Sequence, residues 1–356
     1  MSPSVRPLSL ILLALTACNG PSTDGKGDTD PSDTDAPDTD VADTDPTVDV
    51  WDTITHDLPG ALLSVTGASA SDVWTVGADG GAGPGVLHYD GAAWSKIDTG
   101  TTGDLWWVWE SSPTSIWIVG EGGRVLHGDT SGFVEAVLDA DVTLFGIWGS
   151  SDSDVWAVGG DINQGHDAAV LFHFDGDAWT QADLPATAAA KIAMYKLWGT
   201  ASDDVWACGM GGVLIHFDGD AWTAVDSGTD RDLFTVAGTG PDDVYAVGGV
   251  GNGQIQHWDG SAWSDQTPAF SPDFNGVSAR GARAAVVGRT GSVWARKSDG
   301  TWMEDPRGRA TDKDLHAAWI DPDGGVWTVG GQLSNNPPIF GTLVYGGPAV
   351  IPPYAP

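Results

Sequence analysis

VWTVG, at residues 73–77, is the first of seven variations on one pentapeptide: IWIVG follows at 116–120, VWAVG at 155–159, VWACG at 205–209, VYAVG at 244–248, AAVVG at 284–288 and VWTVG again at 326–330. The closing glycines are 43, 39, 50, 39, 40 and 42 positions apart. A period near forty residues, with no long amphipathic helical pattern between repeats, is that of a four-stranded propeller blade.

Working outward from each pentapeptide gives the rest of a blade. An apolar run precedes it, such as Leu233–Val236 or Leu144–Trp148, and supplies a first strand. The pentapeptide is the second, and a run such as Val86–Tyr89 or Val213–Phe217 is the third. The fourth opens on a Trp after an Asp-Gly turn, at Trp94, Trp179, Trp222, Trp263 and Trp302, with Phe133 in that place in the second repeat. Asp-Gly suits the tight hairpin whose twist matches its flanking strands, and the Trp is expected between neighbouring blades, each of which has two faces to cover. The seventh repeat runs from Leu343-Val344-Tyr345 into prolines without a fourth strand, whereas Val50–Ile54 precedes the first repeat as an unmatched strand with its own Trp51. Joining the two closes the ring and leaves no open edge. The expected fold is therefore all-β: a seven-bladed β-propeller of four-stranded blades over 50–347, closed by an N-terminal strand and followed by a Pro-rich tail at 348–356.

Gly159-Gly160, Gly248-Gly249 and Gly330-Gly331, with the pairs Phe174/Trp179 and Trp258/Trp263, resemble kelch repeats, and Ser298-Asp299-Gly300-Thr301-Trp302 resembles an Asp-box. The resemblance spans nearly the whole body and implies the fold; such repeats are structural and imply little about function. The Gly-His and Trp-Asp marks of WD40 repeats do not recur in register. Sialidases, which carry Asp-boxes, also need an Arg triad and a Tyr–Glu pair, and this chain has Glu only at 110, 121, 135 and 304.

The N-terminus reads as an address. Arg6 precedes the apolar run Leu8–Leu15, too short to span a bilayer and suited to a signal peptide. Leu15-Thr16-Ala17-Cys18 resembles a bacterial lipobox, and that resemblance implies that residues 1–18 direct export and that Cys18 becomes the lipidated first residue. Several acyl chains make a stable anchor. Asn19, rather than Asp, after the cysteine points to the outer membrane. Residues 19–49 repeat Asp-Thr-Asp every five positions among prolines, a composition with nothing to bury that is expected to act as an extended tether. Ca²⁺ binding there would need a fixed turn to gather ligands, and nothing in the segment fixes one. Cys208 stands where sibling repeats have Val and is expected to be a buried apolar residue.

The formal charge of −34 argues against nucleic acid as a partner. His88, His127, His173, His216 and His257 recur in register, each two residues before an Asp (Asp90, Asp129, Asp175, Asp218, Asp259). Equivalent third-strand positions on different blades cannot converge on one metal, so these histidines are expected to be structural, bonded to their own Asp turn. No metal site, cofactor or catalytic motif is expected.

In a propeller the 1–2 and 3–4 turns share one face, called here the first, and the 2–3 and 4–1 loops share the second. The first face is short and acidic, with Asp72, Asp152, Asp154, Asp203, Asp204, Asp242, Asp243 and Asp323; the second carries insertions at 161–169, 186–195 and 332–340. Functional residues favour variable loops on a rigid frame, which puts a ligand site on the second face. Eight of the 15 basic residues fall between Arg280 and Lys313, and Arg289, Arg307, Arg309 and Lys313 lie on second-face loops as candidates for an anionic partner. The sequence thus reads as a monomeric propeller that binds a protein or glycan partner at the cell envelope and reaches the membrane through its lipid. A glycan-cleaving enzyme and a purely structural lipoprotein stay open as alternatives.

Overall fold

The computed structural model describes residues 50–139, 141–162 and 168–356. The signal peptide, Cys18, the tether and the middle of the 161–169 insertion lie outside them. Seven four-stranded antiparallel sheets follow one another, as the repeats require. Numbered along the chain, the blades have as inner strands Leu62–Ser69, Leu105–Ser112, Thr143–Ser151, Met194–Ala201, Leu233–Gly240, Phe274–Arg280 and Asp314–Ile320.

Blade 7 is completed by the N-terminal strand, in the order Asp52–Gly60, Ile339–Gly346, Val326–Gln332, Asp314–Ile320. The closing strand begins two residues beyond Val50 and runs on to Gly60. It pairs Asp52 with Tyr345 and Gly60 with Ile339, with irregular register between Thr53 and Leu58, near Asp57 at φ 55°. The tail folds back along this outermost strand: Tyr354 N–H donates to Ile54 O at 2.8 Å, and Ile351 is buried.

Alternation along the strands explains the packing. The pentapeptides are buried throughout in blades 1 to 5, and their aromatics meet the fourth-strand aromatic of the next blade edge-on or tilted. Trp74 meets Phe133 at 6.3 Å, Trp117 meets Trp179 at 6.1 Å, Trp156 meets Trp222 at 5.2 Å, Trp206 meets Trp263 at 5.3 Å and Tyr245 meets Trp302 at 5.7 Å. Trp327 of blade 7 meets Trp94 of blade 1 at 6.2 Å across the closure. Blade 6 has Ala285 at this place, and Trp51 packs into the cluster of Ala285, Ile320 and Val326 instead. The Asp of each Asp-Gly turn caps its own hairpin. Asp90 Oδ1 accepts from the Ala92 and Ala93 amides at 2.9 and 2.8 Å, and Gly91 at φ 88° supplies the left-handed residue the turn needs.

Candidate functional site

The inner strands surround a channel whose two halves differ in construction. Every inner strand carries a register shift after its first or second paired residue. One extra residue is thereby turned out of the ladder: Leu63, Trp106, Phe145, Tyr195, Phe234, Asn275 and His316. These lie at the second-face end and meet across the axis. Ring centroids are 5.1 Å apart for Trp106–Phe145, 5.9 Å for Phe145–Tyr195 and 5.6 Å for Tyr195–Phe234, and Trp106 reaches His316, two blades away, at 5.9 Å. Asn275 donates to Leu315 O at 2.8 Å, and His316 Nδ1 lies 2.5 Å from Leu63 O. This end is a plug.

Nearer the first face, the residue paired with the second-strand aromatic is Thr66, Trp109, Trp148, Trp198, Ala237, Ser278 and Trp319 in blades 1 to 7. Each Trp lies across a glycine of the following blade. A Cβ on Gly149, Gly199 or Gly238 would come within 2.7 Å of the Trp109, Trp148 or Trp198 ring, and one on Gly67 within 2.9 Å of Trp319. Where the leading blade has a small residue the following one is filled instead: Thr66 faces Glu110 in register, Ala237 faces Ala279, and Ser278 Oγ accepts from the Ile320 amide at 3.0 Å. The blades therefore lock in pairs, and the indoles line a cavity of about 310 Å³ to which all seven inner strands contribute.

Glu110 is the one carboxylate among the described residues lining that cavity. Neither of its oxygens, both shielded from solvent, has a well-formed hydrogen bond. Burial, aided by the negative charge of Asp72, pushes its pKa up to about 7, against a weaker pull from the Ala68 amide. Arg280, at the opposite side of the mouth, donates Nε to Ile320 O at 2.8 Å and lies 6.0 Å from the Trp319 ring centre. Below the cavity Lys196 is fully enclosed. It donates to Phe145 O at 2.6 Å and sits 4.3 Å from the Trp107 ring centre, and burial brings its pKa down to about 7. Outside the indoles stands a rim of aspartates, with Asp154 accepting from Ser150 at 2.5 Å, Asp243 from Thr239 at 2.6 Å, and Asp204 from Thr200.

The basic residues picked out on the second face are each engaged by the chain's own acids, Arg309 excepted, which is exposed. Arg307 grips Asp305 with two nitrogens at 2.8 Å each and lies 3.9 Å over the Trp51 ring. Its guanidinium is thus held by an acid and an indole of the chain itself. Arg289 lies 3.5 Å from Asp273, and Lys313 lies 3.6 Å from Asp312 and 3.9 Å from Asp57. The cavity, moreover, lies in the first-face half of the channel, not under the long loops.

The histidines are built into the blades, with a different partner from the one expected. His88, His173, His216 and His257 bond Asp72, Asp154, Asp204 and Asp243 at 2.7–2.8 Å, at the start of the second strand, while the Asp-Gly aspartate caps its turn. His127 reaches Asp152 through Ser115. Each imidazole also stacks on the second-strand aromatic, from 3.8 Å for Trp117–His127 to 4.6 Å for Tyr245–His257. Cys208 is buried, and burial pushes its thiol up to about 12, as an apolar role requires.

The residues that sequence reasoning missed are the indole ring and Glu110. A signal existed: Trp148-Gly149 and Trp198-Gly199 follow the apolar run of consecutive repeats, and Trp109-Glu110 breaks that pattern in the second.

No family model matches the chain, and no curated protein matches it in sequence. Solved structures match in fold. A YCF48 structure bound to a D1 peptide superposes with a TM-score of 0.63 at 16% identity, covering 84% of this chain and 97% of that one. YCF48 from Cyanidioschyzon merolae gives 0.63 at 12% identity, over 84% and 99% of the two chains. The WD40 propeller domain of Doa1 gives 0.60 at 9% identity, over 84% and 97%. At these identities the likeness is one of architecture.

Proposed function

We propose that this protein is a lipid-anchored binding propeller of the cell envelope, held by Cys18 and the 19–49 tether, that takes a protein partner at the first-face mouth of its channel. The observation that carries the reading is the cavity itself. A ring whose second-face end is packed shut keeps an indole-lined hollow at the other, with a carboxylate that makes no well-formed hydrogen bond. Buried acids without donors destabilise a fold, so the arrangement fits a site completed by a ligand. Indoles that a partner can finish burying are typical anchors in protein interfaces. A propeller of the same architecture is bound to a peptide, as noted above. Glycoside hydrolysis needs two carboxylates flanking the scissile bond, and the cavity lining offers one, which favours binding over the glycan-cleaving alternative.

Two measurements test this. Cys18→Ser should move the protein from the membrane to the soluble fraction, and an unmodified mature N-terminus at another residue would remove the anchor from the account. Affinity capture from solubilised envelopes should retrieve a partner with wild type and with Arg309→Ala, and lose it with Trp148→Ala. Loss with Arg309→Ala and retention with Trp148→Ala would move the site to the second face.

A further inference from the structure

Resting on that reading and sharpening it, we infer that the first-face mouth is a receptor for a basic side chain of the partner, whose cation enters between the channel indoles and meets Glu110.

The chemistry of the wall selects the ligand. Indole faces attract cations, and this chain already uses its inner-strand indoles so, seating Lys196 over Trp107 and Arg280 over Trp319. At the mouth, Trp109 and Trp148 stand with ring centres 6.5 Å apart and tilted by 43°, both half-buried. Glu110 adjoins Trp109 in the inner strand of blade 2, at the register position where blades 1, 3, 4 and 5 have glycine. The leading blade has Thr66 there instead of an indole, so a carboxylate stands where the ring lock is interrupted. Its oxygens make no well-formed hydrogen bond within the chain, and an ammonium or guanidinium brings three or five donors. A lysine or arginine side chain has the shape the site asks for: a charged head for Glu110 and an apolar stem to lie against the channel indoles.

The surroundings point the same way. Glu110 stands in the field of Asp72, and the aspartate rim of the first face belongs to a chain of net charge −34. Such a field draws cations toward the mouth and repels acidic peptides. The one basic side chain among the described residues lining the cavity, Arg280, is tied to Ile320 and Trp319, across the ring from blade 2.

The test is calorimetric titration of the purified full chain with the peptides acetyl-Gly-Gly-X-Gly-Gly-amide, where X is Lys, Arg, Ala or Glu. The Lys and Arg peptides should bind, with affinity falling as salt rises, and the Ala and Glu peptides should not. Glu110→Gln, which keeps the shape and relieves a buried acid, should fold at least as well as wild type and weaken the basic peptides about tenfold or more. Trp148→Ala should weaken them as well. Equal binding of the Ala peptide, or undiminished binding by Glu110→Gln, overturns the inference. So does binding of tetramethylammonium or an oligosaccharide without the basic peptides. A partner captured in a Trp148-dependent way, yet not displaced by the Lys peptide, would sink this inference and leave the binding reading standing. A partner indifferent to Trp148 would sink both.

Discussion

The two halves of the channel are made from the same seven strands and reach opposite outcomes. At the second-face end, a bulge in every strand pushes one extra residue inward, and five of the seven close on each other through ring contacts of 5.1 to 5.9 Å. At the first-face end the next shift, present in five of the seven strands, comes only beyond the indole position and its successor, and the indoles turn sideways onto the next blade's glycine and leave the axis open. Where the slip falls relative to the large side chains separates a core from a pocket. The indoles thus lock neighbouring blades together and form the wall of the site at once.

Substitutions should separate the halves. Phe145→Ala, in the plug, should cost about 3–5 kcal/mol in urea unfolding and leave partner capture intact. Capture lost in a still-folded Phe145→Ala protein would mean that the plug is part of the site. Gly199→Ala, in the lock, should cost about 1–3 kcal/mol, because its Cβ would meet Asp204 O at 2.5 Å and the Trp148 ring at 2.7 Å. A neutral Gly199→Ala would show that the indoles slide freely and do not lock the blades.

The smallest effects concern pH, and they have opposite signs in the two halves. Glu110 keeps its proton in the folded state up to about 7, while a free carboxyl loses it near 4.5. Folding therefore takes up a proton between these values, and stability should fall as pH rises through that window. Lys196 gives up its proton at about 7 when folded and near 10.5 when not. Folding there releases a proton, and stability should rise from about 7 upward. Stability against pH should thus lose its fall below 7 in Glu110→Gln and its rise above 7 in Lys196→Met. Profiles parallel to wild type in both variants would show that neither group is as enclosed as the geometry has it.

Much of this architecture was legible in the chain because a propeller repeats its instructions. The pentapeptides gave the number of blades, and the stray strand before the first gave the closure. What each blade repeats, such as the outer Trp and the in-register His, could be assigned to structure. The site was not legible in the same way, because it lies between blades. That Trp148 lies on Gly199, or that Thr66 leaves room for Glu110, follows from two inner strands about fifty residues apart brought side by side. The surroundings of the second-face basic residues were hidden for the same reason. Asp305 stands two residues before Arg307 in sequence, but Trp51 comes to it from the far end of the chain.

The closing strand has a mechanical consequence. Being the fourth strand of its blade, it starts at the first face, so a leash joined at residue 50 would leave the ring on the side where the pocket opens. Tension drawn straight away from that face would run along the strand and load its bonds to Ile339–Gly346 together, whereas a sideways pull would open them one after another from Asp52. The folded-back tail, tied at Tyr354 to Ile54, sits beside the end where such peeling would begin. A ring held by such a leash would bear load best with its pocket turned toward the point of attachment.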